Sequence, residues 1–153
     1  MDDDRLNKGF GSAAKYCALR ERAPKQVIEK LLLWDFTQEQ AEKILSRLIA
    51  ENFLNEERFA RSFCHDKFEF NNWGKIKINM ELDRFDLDHQ IMEEALEAID
   101  PKKYRDKVAA LAKAKWQLIK DKGDDFVQKG KTATYLMNKG FEGDLVWKVV
   151  KEL

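Results

Sequence analysis

The chain has very little of what punctuates a β-rich protein: 2 prolines and 7 glycines in 153 residues. Sheets need many turns, and turns need those residues, so the scarcity points to helices. Cysteine is equally sparse. Cys17 and Cys64 make neither a metal-ligand spacing nor a disulfide framework, so reduced thiols in a cytoplasmic protein are expected. The start, MDDDRLNKGF, carries acids where a leader's basic region would be, with no apolar segment after it, and no run approaches the roughly 20 apolar residues of a membrane span. A soluble protein with no membrane partner is the expectation.

Only two histidines are present, and neither His65 nor His89 lies in a metal-binding spacing. Cys64, His65 and Asp66 are adjacent, but consecutive helical residues point about 100° apart and do not converge. The Gly130-Lys131-Thr132 of KGKTATYL lacks the upstream glycine and the preceding strand of a phosphate loop. Glu93, Glu94, Glu97 and Asp100 read as a solvated face rather than a cation site. With no nucleophile–base pair and no ligand set, an enzyme is the poorest reading, and no cofactor is expected.

What is present is apolar and charged in helical proportion. Apolar residues make up 44 % and charged residues 37 %, enough for a core and for solvated helix faces. Net charge is zero but unevenly spread: residues 55–100 hold 6 Lys and Arg against 12 Asp and Glu, and residues 101–153 hold 13 against 7. Such a surface suits a composite partner, or neighbouring segments that neutralise one another.

A repeat organises the chain. LLLWDFTQEQAEKIL (31–45), LDRFDLDHQIMEEAL (82–96) and LMNKGFEGDLVWKVV (136–150) align, with a bulky apolar residue at the turn in each: Phe36, Leu87 and Phe141. Ala41, Met92 and Val146 follow five positions later, and then apolar pairs, one stripe at helical period. Each block reads as helix, tight turn, helix. Thr37 and Gln40 form a capping box, and Gly140 suits a left-handed helix end that Asp35 and Asp86 occupy elsewhere.

Another helix precedes each block. The first, residues 12–22, has Ser12 as a cap. The second runs from its cap Asn55 to about Phe70, with Phe59, Phe63 and Phe70 available for burial, and NNWG ends it. The third runs from about Pro101 to Lys120, followed by Asp124 or Asp125 as the next cap. In WGKIKINMEL, Ile76 and Met80 are expected to face inwards. The fold class is therefore all-α: three tandem three-helix repeats in an elongated, curved helical array. The expected divisions are a flexible segment 1–11 and repeats at 12–53, 54–100 and 101–153.

The functional signal is basic. Lys75 and Lys77 follow Gly74, while Lys107, Lys113 and Lys115 belong to a dense series around Trp116. Such a series either meets phosphate, where each contact adds about −0.9 to the salt slope on duplex, or is an ordinary solvated face.

The stretch Phe53-Leu54-Asn55-Glu56-Glu57-Arg58-Phe59-Ala60-Arg61-Ser62-Phe63 resembles the middle-unit motif of the RecX family. Gly74, Lys77, Ile78, Glu81, Leu82 and Leu87 then match in order, and residues 16–32 and 131–150 resemble the first and closing units. Lys75 and Asp86 stand where the family has Pro and Gly. The resemblance implies a non-enzymatic regulator, usually an inhibitor, of the RecA recombinase in recombination, DNA repair and the SOS response. It would lie as a monomer in the groove of the RecA–single-stranded DNA filament. Arg58, Arg61, Lys75, Lys77, Lys107, Lys113 and Lys115 are the expected contacts to RecA or DNA. The alternative is a helical module that binds DNA without RecA.

Overall fold

A computed structural model describes residues 2–153. Among them are nine α-helices and two short 3-10 turns, and no strand. The helices fall into three units: α1 (Asp2–Leu19), α2 (Pro24–Leu33) and α3 (Gln38–Ala50); α4 (Glu56–Glu69), α5 (Lys75–Leu82) and α6 (His89–Glu97); α7 (Pro101–Ile119), α8 (Asp125–Asn138) and α9 (Gly143–Val150).

Local chemistry accounts for the boundaries. Thr37 Oγ1 accepts from Gln40 N–H while Gln40 Oε1 accepts from Thr37 N–H. Asn55 caps α4 through Arg58 N–H, and Asp88, Asp100 and Asp124 cap α6, α7 and α8. Pro24 and Pro101 stand at first helical positions, where the missing N–H costs nothing. Each middle helix ends on a left-handed residue: Asp35 (φ 67°), Asp86 (φ 54°) and Gly140 (φ 97°). After Asp35 and Gly140 the chain closes in the same way. Phe36 N–H bonds to Leu31 O and Phe141 N–H to Leu136 O, which drives Phe36 and Phe141 into the cores.

Four expectations need correction. Residues 2–11, read as a flexible segment, are the first part of α1, in which Gly9 and Ala13 are buried; Met1 lies outside the described residues. Asp3 and Asp4 stand near the start of α1, where acids complement the helix dipole. Ser12 accordingly sits mid-helix and caps nothing. Phe70 is 76 % exposed, and Phe68 is buried in its place. Ile76 and Met80 are exposed, while Ile78 and Leu82 face the core.

The units are not equivalent in packing. The first has a core of its own, with Val27, Leu31, Ile44 and Leu48 at its centre. The second and third share one continuous core running from Phe59 and Ile78 through Tyr104 and Val108 to Phe141 and Val150.

Candidate nucleic-acid interface

Two turns meet where the second unit joins the third. Helix α5 needs acceptors for its first N–H groups, and Gly74, its N-cap, has no side chain to offer. The third unit supplies them. Gly74 N–H donates to Lys139 O (2.7 Å), Ile76 N–H to Gly140 O (3.0 Å) and Lys75 N–H to the Tyr104 hydroxyl (2.9 Å). Tyr104 in turn donates to the Glu142 carboxylate. Burial, and then the Glu142 acceptor, push the Tyr104 pKa above its ordinary 10. A side chain on residue 74 would not fit: its Cβ would lie 2.3 Å from the Gly140 backbone.

This joint gathers lysines and aromatic rings. The ammonium groups of Lys67 and Lys77 lie 5.0 and 4.6 Å from the centre of the Trp73 ring. Those of Lys115 and Lys139 lie 5.0 and 5.5 Å from Tyr135, and that of Lys75 lies 5.0 Å from Tyr104. Lys139 is the residue whose carbonyl accepts from Gly74, and Lys77 packs on Gly140, so the two lysine–aromatic groups adjoin through the turn. Among the described residues, none of these five ammonium groups is within 4.0 Å of a carboxylate. Each ring holds a flexible stem in place and leaves its charged head hydrated. The result is a seam of fixed, unpaired positive charge, able to take an anionic partner.

The seven expected contact residues divide accordingly. Lys75, Lys77 and Lys115 belong to the seam. Arg58 is a strut: it pairs with Glu21 of the first unit (3.2 Å) and donates to Asn52 Oδ1 (3.0 Å) and Asn52 O. Lys107 donates to Phe68 O (2.7 Å) and Glu69 O (3.0 Å), closing the C-terminal end of α4. Arg61 is exposed beside His65 and Lys103 at a separate hollow. Lys113 faces away from Lys115, into a groove between α7 and α9. Lys67, Trp73, Tyr135 and Lys139 were not singled out from the sequence. The available signal was the pair of glycine turns Trp73-Gly74-Lys75 and Lys139-Gly140-Phe141, each with a lysine beside the glycine.

The segments weighed for chemistry are dispersed. Cys64 is buried, and burial pushes its thiol up to about 12, while His65 is exposed and contacts Asp66. Gly130, Lys131 and Thr132 lie inside α8.

Fold and seam together define a tandem helical-repeat protein with fixed positive charge on its surface. Residues 55–96 match the model of the second three-helix domain of RecX, and residues 102–150 match that of the third. The chain belongs to the RecX family of regulatory proteins. It is 29 % identical over 153 residues to the regulatory protein RecX of Prosthecochloris aestuarii, covering 100 % of this chain and 98 % of that one. It is 25 % identical over 150 residues to the regulatory protein RecX of Finegoldia magna, with 97 % and 73 % covered. The crystal structure of RecX from Lactobacillus salivarius superposes with a TM-score of 0.89 at 24 % identity, over 99 % of this chain and 97 % of that one, which shows a common fold. No described helix is long and apolar enough to cross a membrane.

Proposed function

We propose that this protein regulates the RecA recombinase in the cytoplasm, binding the RecA–single-stranded DNA filament as a monomer without catalysis of its own and lowering its ATPase and strand-exchange activity. Family membership supports the regulatory role. The observation that carries the binding mode is the seam of five unpaired lysines across the second joint. Fixed cations on a protein of zero net charge suit a partner offering phosphate and protein together.

The test is ATP hydrolysis by RecA on single-stranded DNA. Near-equimolar protein should depress it, and Lys75→Glu with Lys77→Glu should raise the concentration needed at least tenfold at unchanged helicity. No depression by excess wild-type protein would overturn the reading. Unchanged inhibition by the double variant would remove the seam from it. The same unpaired charges favour a second reading, direct DNA binding without RecA. That reading requires tight binding to bare oligonucleotide with a steep salt dependence, whereas the filament reading requires weak binding to bare DNA that tightens on the filament.

A further inference from the structure

On the side of α7 away from Lys115, the third unit carries a groove of about 830 Å³. Its walls follow from helical spacing. Along α7, Arg105, Ala109, Lys113 and Gln117 recur every fourth residue; α9 contributes Leu145 and Val149 at the same spacing, and Leu153 follows from the turn beyond its end. Ala109 is the smallest of these side chains and leaves the groove its depth. Leu145, Val149 and Leu153 are partly buried against the shared core and present an apolar floor. Trp116 closes one end, with the Lys129 ammonium 6.0 Å from its ring.

The rim is cationic. Arg105, Lys113, Lys148 and Lys151 line the groove, against Asp106 and Glu152. Asp106 is already engaged by Lys102 at 3.2 Å, so its charge is largely offset. Lys129, donating to Lys151 O at 3.4 Å, adds a further cation beside the rim. An apolar floor under a basic rim does not suit bare phosphodiester, which would gain nothing from Leu145, Val149 and Leu153. It suits a peptide with apolar residues on one face and carboxylates on the other. Two ridges of side chains spaced four apart, with a trough between them, are the complement of a third helix.

We infer that the α7/α9 groove docks an acidic amphipathic helix of a partner protein, its apolar face on Leu145, Val149 and Leu153 and its carboxylates against Arg105, Lys113, Lys148 and Lys151. This site is distinct from the lysine seam and does not depend on the filament reading. Its rim charges set the encounter rate and its floor sets the residence time.

The test uses the full chain with three probes: a 16-residue Ala-based synthetic helix with Leu at i, i+3, i+4 and i+7 and four Glu on the flanking positions, its Lys-for-Glu counterpart, both checked for helicity by circular dichroism, and an oligo(dT) of similar charge. Binding is followed by calorimetry and by backbone amide shifts on α7 and α9. The acidic helix should bind and shift amides of both helices, and the basic helix should not. Lys113→Glu with Lys148→Glu, both exposed, should weaken the acidic helix at least tenfold. Ala109→Trp, filling the trough from an exposed position, should abolish its binding. Circular dichroism checks that each variant folds, and the charge reversal alone decides the matter if Ala109→Trp does not. The inference is overturned if the acidic helix fails to bind, if it binds with affinity unmoved by Lys113→Glu and Lys148→Glu, or if oligo(dT) shifts these amides and displaces the peptide.

Discussion

Between the first and second units one small apolar residue, Ala23, is buried in the second unit's core, and the other bridging contacts are ionic and partly open to water: Arg58 with Glu21, and Lys25 with Asp86 (3.4 Å) and Arg84 O (2.9 Å). Between the second and third they are backbone and core: the N–H groups of Gly74, Lys75 and Ile76 satisfied by the third unit, Lys107 closing α4, and Tyr104 against Phe68 and Phe141. The cores follow the same division, one private to the first unit and one shared by the other two, which the first unit enters only through Ala23. Exposed ion pairs contribute little and are screened by salt, whereas a buried donor left unpaired costs the full desolvation penalty. A repeat array can therefore combine an adjustable joint with a fixed one. The lysine seam sits on the fixed one, where its geometry is held.

The largest effect should come from closing off the fixed joint. Gly74→Ala places a Cβ 2.3 Å from the Gly140 backbone, which cannot rotate aside, so the second and third units must part. The expected cost is about 3 kcal/mol or more, read from the midpoint of urea unfolding.

Next is Tyr104→Phe, which leaves the Lys75 N–H without its acceptor and the Glu142 carboxylate without its donor, at about 1–3 kcal/mol. The same hydroxyl predicts a pH dependence. A group whose folded pKa is raised stabilises fully below its unfolded pKa, and that contribution fades as pH climbs above it. Stability should therefore decline above pH 9, where the unfolded Cys64 thiol begins to ionise while the folded one holds its proton to about 12. Tyr104 adds a second loss above pH 10. Each group contributes a slope of about 1.4 kcal/mol per pH unit, and Tyr104→Phe should remove the second, seen in urea midpoints taken from pH 8 to 11.

At the adjustable joint the effects should be smaller and dependent on salt. Coupling between Arg58→Ala and Glu21→Ala in a double-mutant cycle should be about 1 kcal/mol and shrink in high salt, since both side chains are about a third exposed. Lys25→Ala should change stability by less than about 0.5 kcal/mol. If Arg58→Ala proved as costly as Gly74→Ala, the two joints would not differ in the way their contacts indicate.

Features set by neighbours in the chain were legible without coordinates. Thr37 with Gln40, Asn55 and Asp124 act as caps, and Asp35, Asp86 and Gly140 take left-handed conformations, because a few adjacent residues decide each. The face that α5 buries was not legible. Ile76, Ile78, Met80 and Leu82 alternate along it, and 76 with 80 makes as good a helical pair as 78 with 82. Only the docking of Gly74 against Gly140 selects the second pair. Phe68 and Phe70 pose the same problem at the end of α4. The seam needed the fold for the same reason: Trp73 and Tyr135 are far apart in the chain and adjoin only through the hydrogen bond from Gly74 to Lys139. Arg58 and Lys107 show the converse: positive charge reads as binding potential in the sequence, or for Arg58 equally as one half of an ion pair, and the fold gives Arg58 the Glu21 carboxylate and Lys107 the carbonyls that end α4.

Protein synthesis runs in one direction, and α5 depends on acceptors that emerge from the ribosome only with Lys139 and Gly140. A nascent chain can complete the private core of the first unit while the second still lacks the start of its middle helix. The second and third units must then finish together, so a stalled or prematurely ended product loses both rather than one.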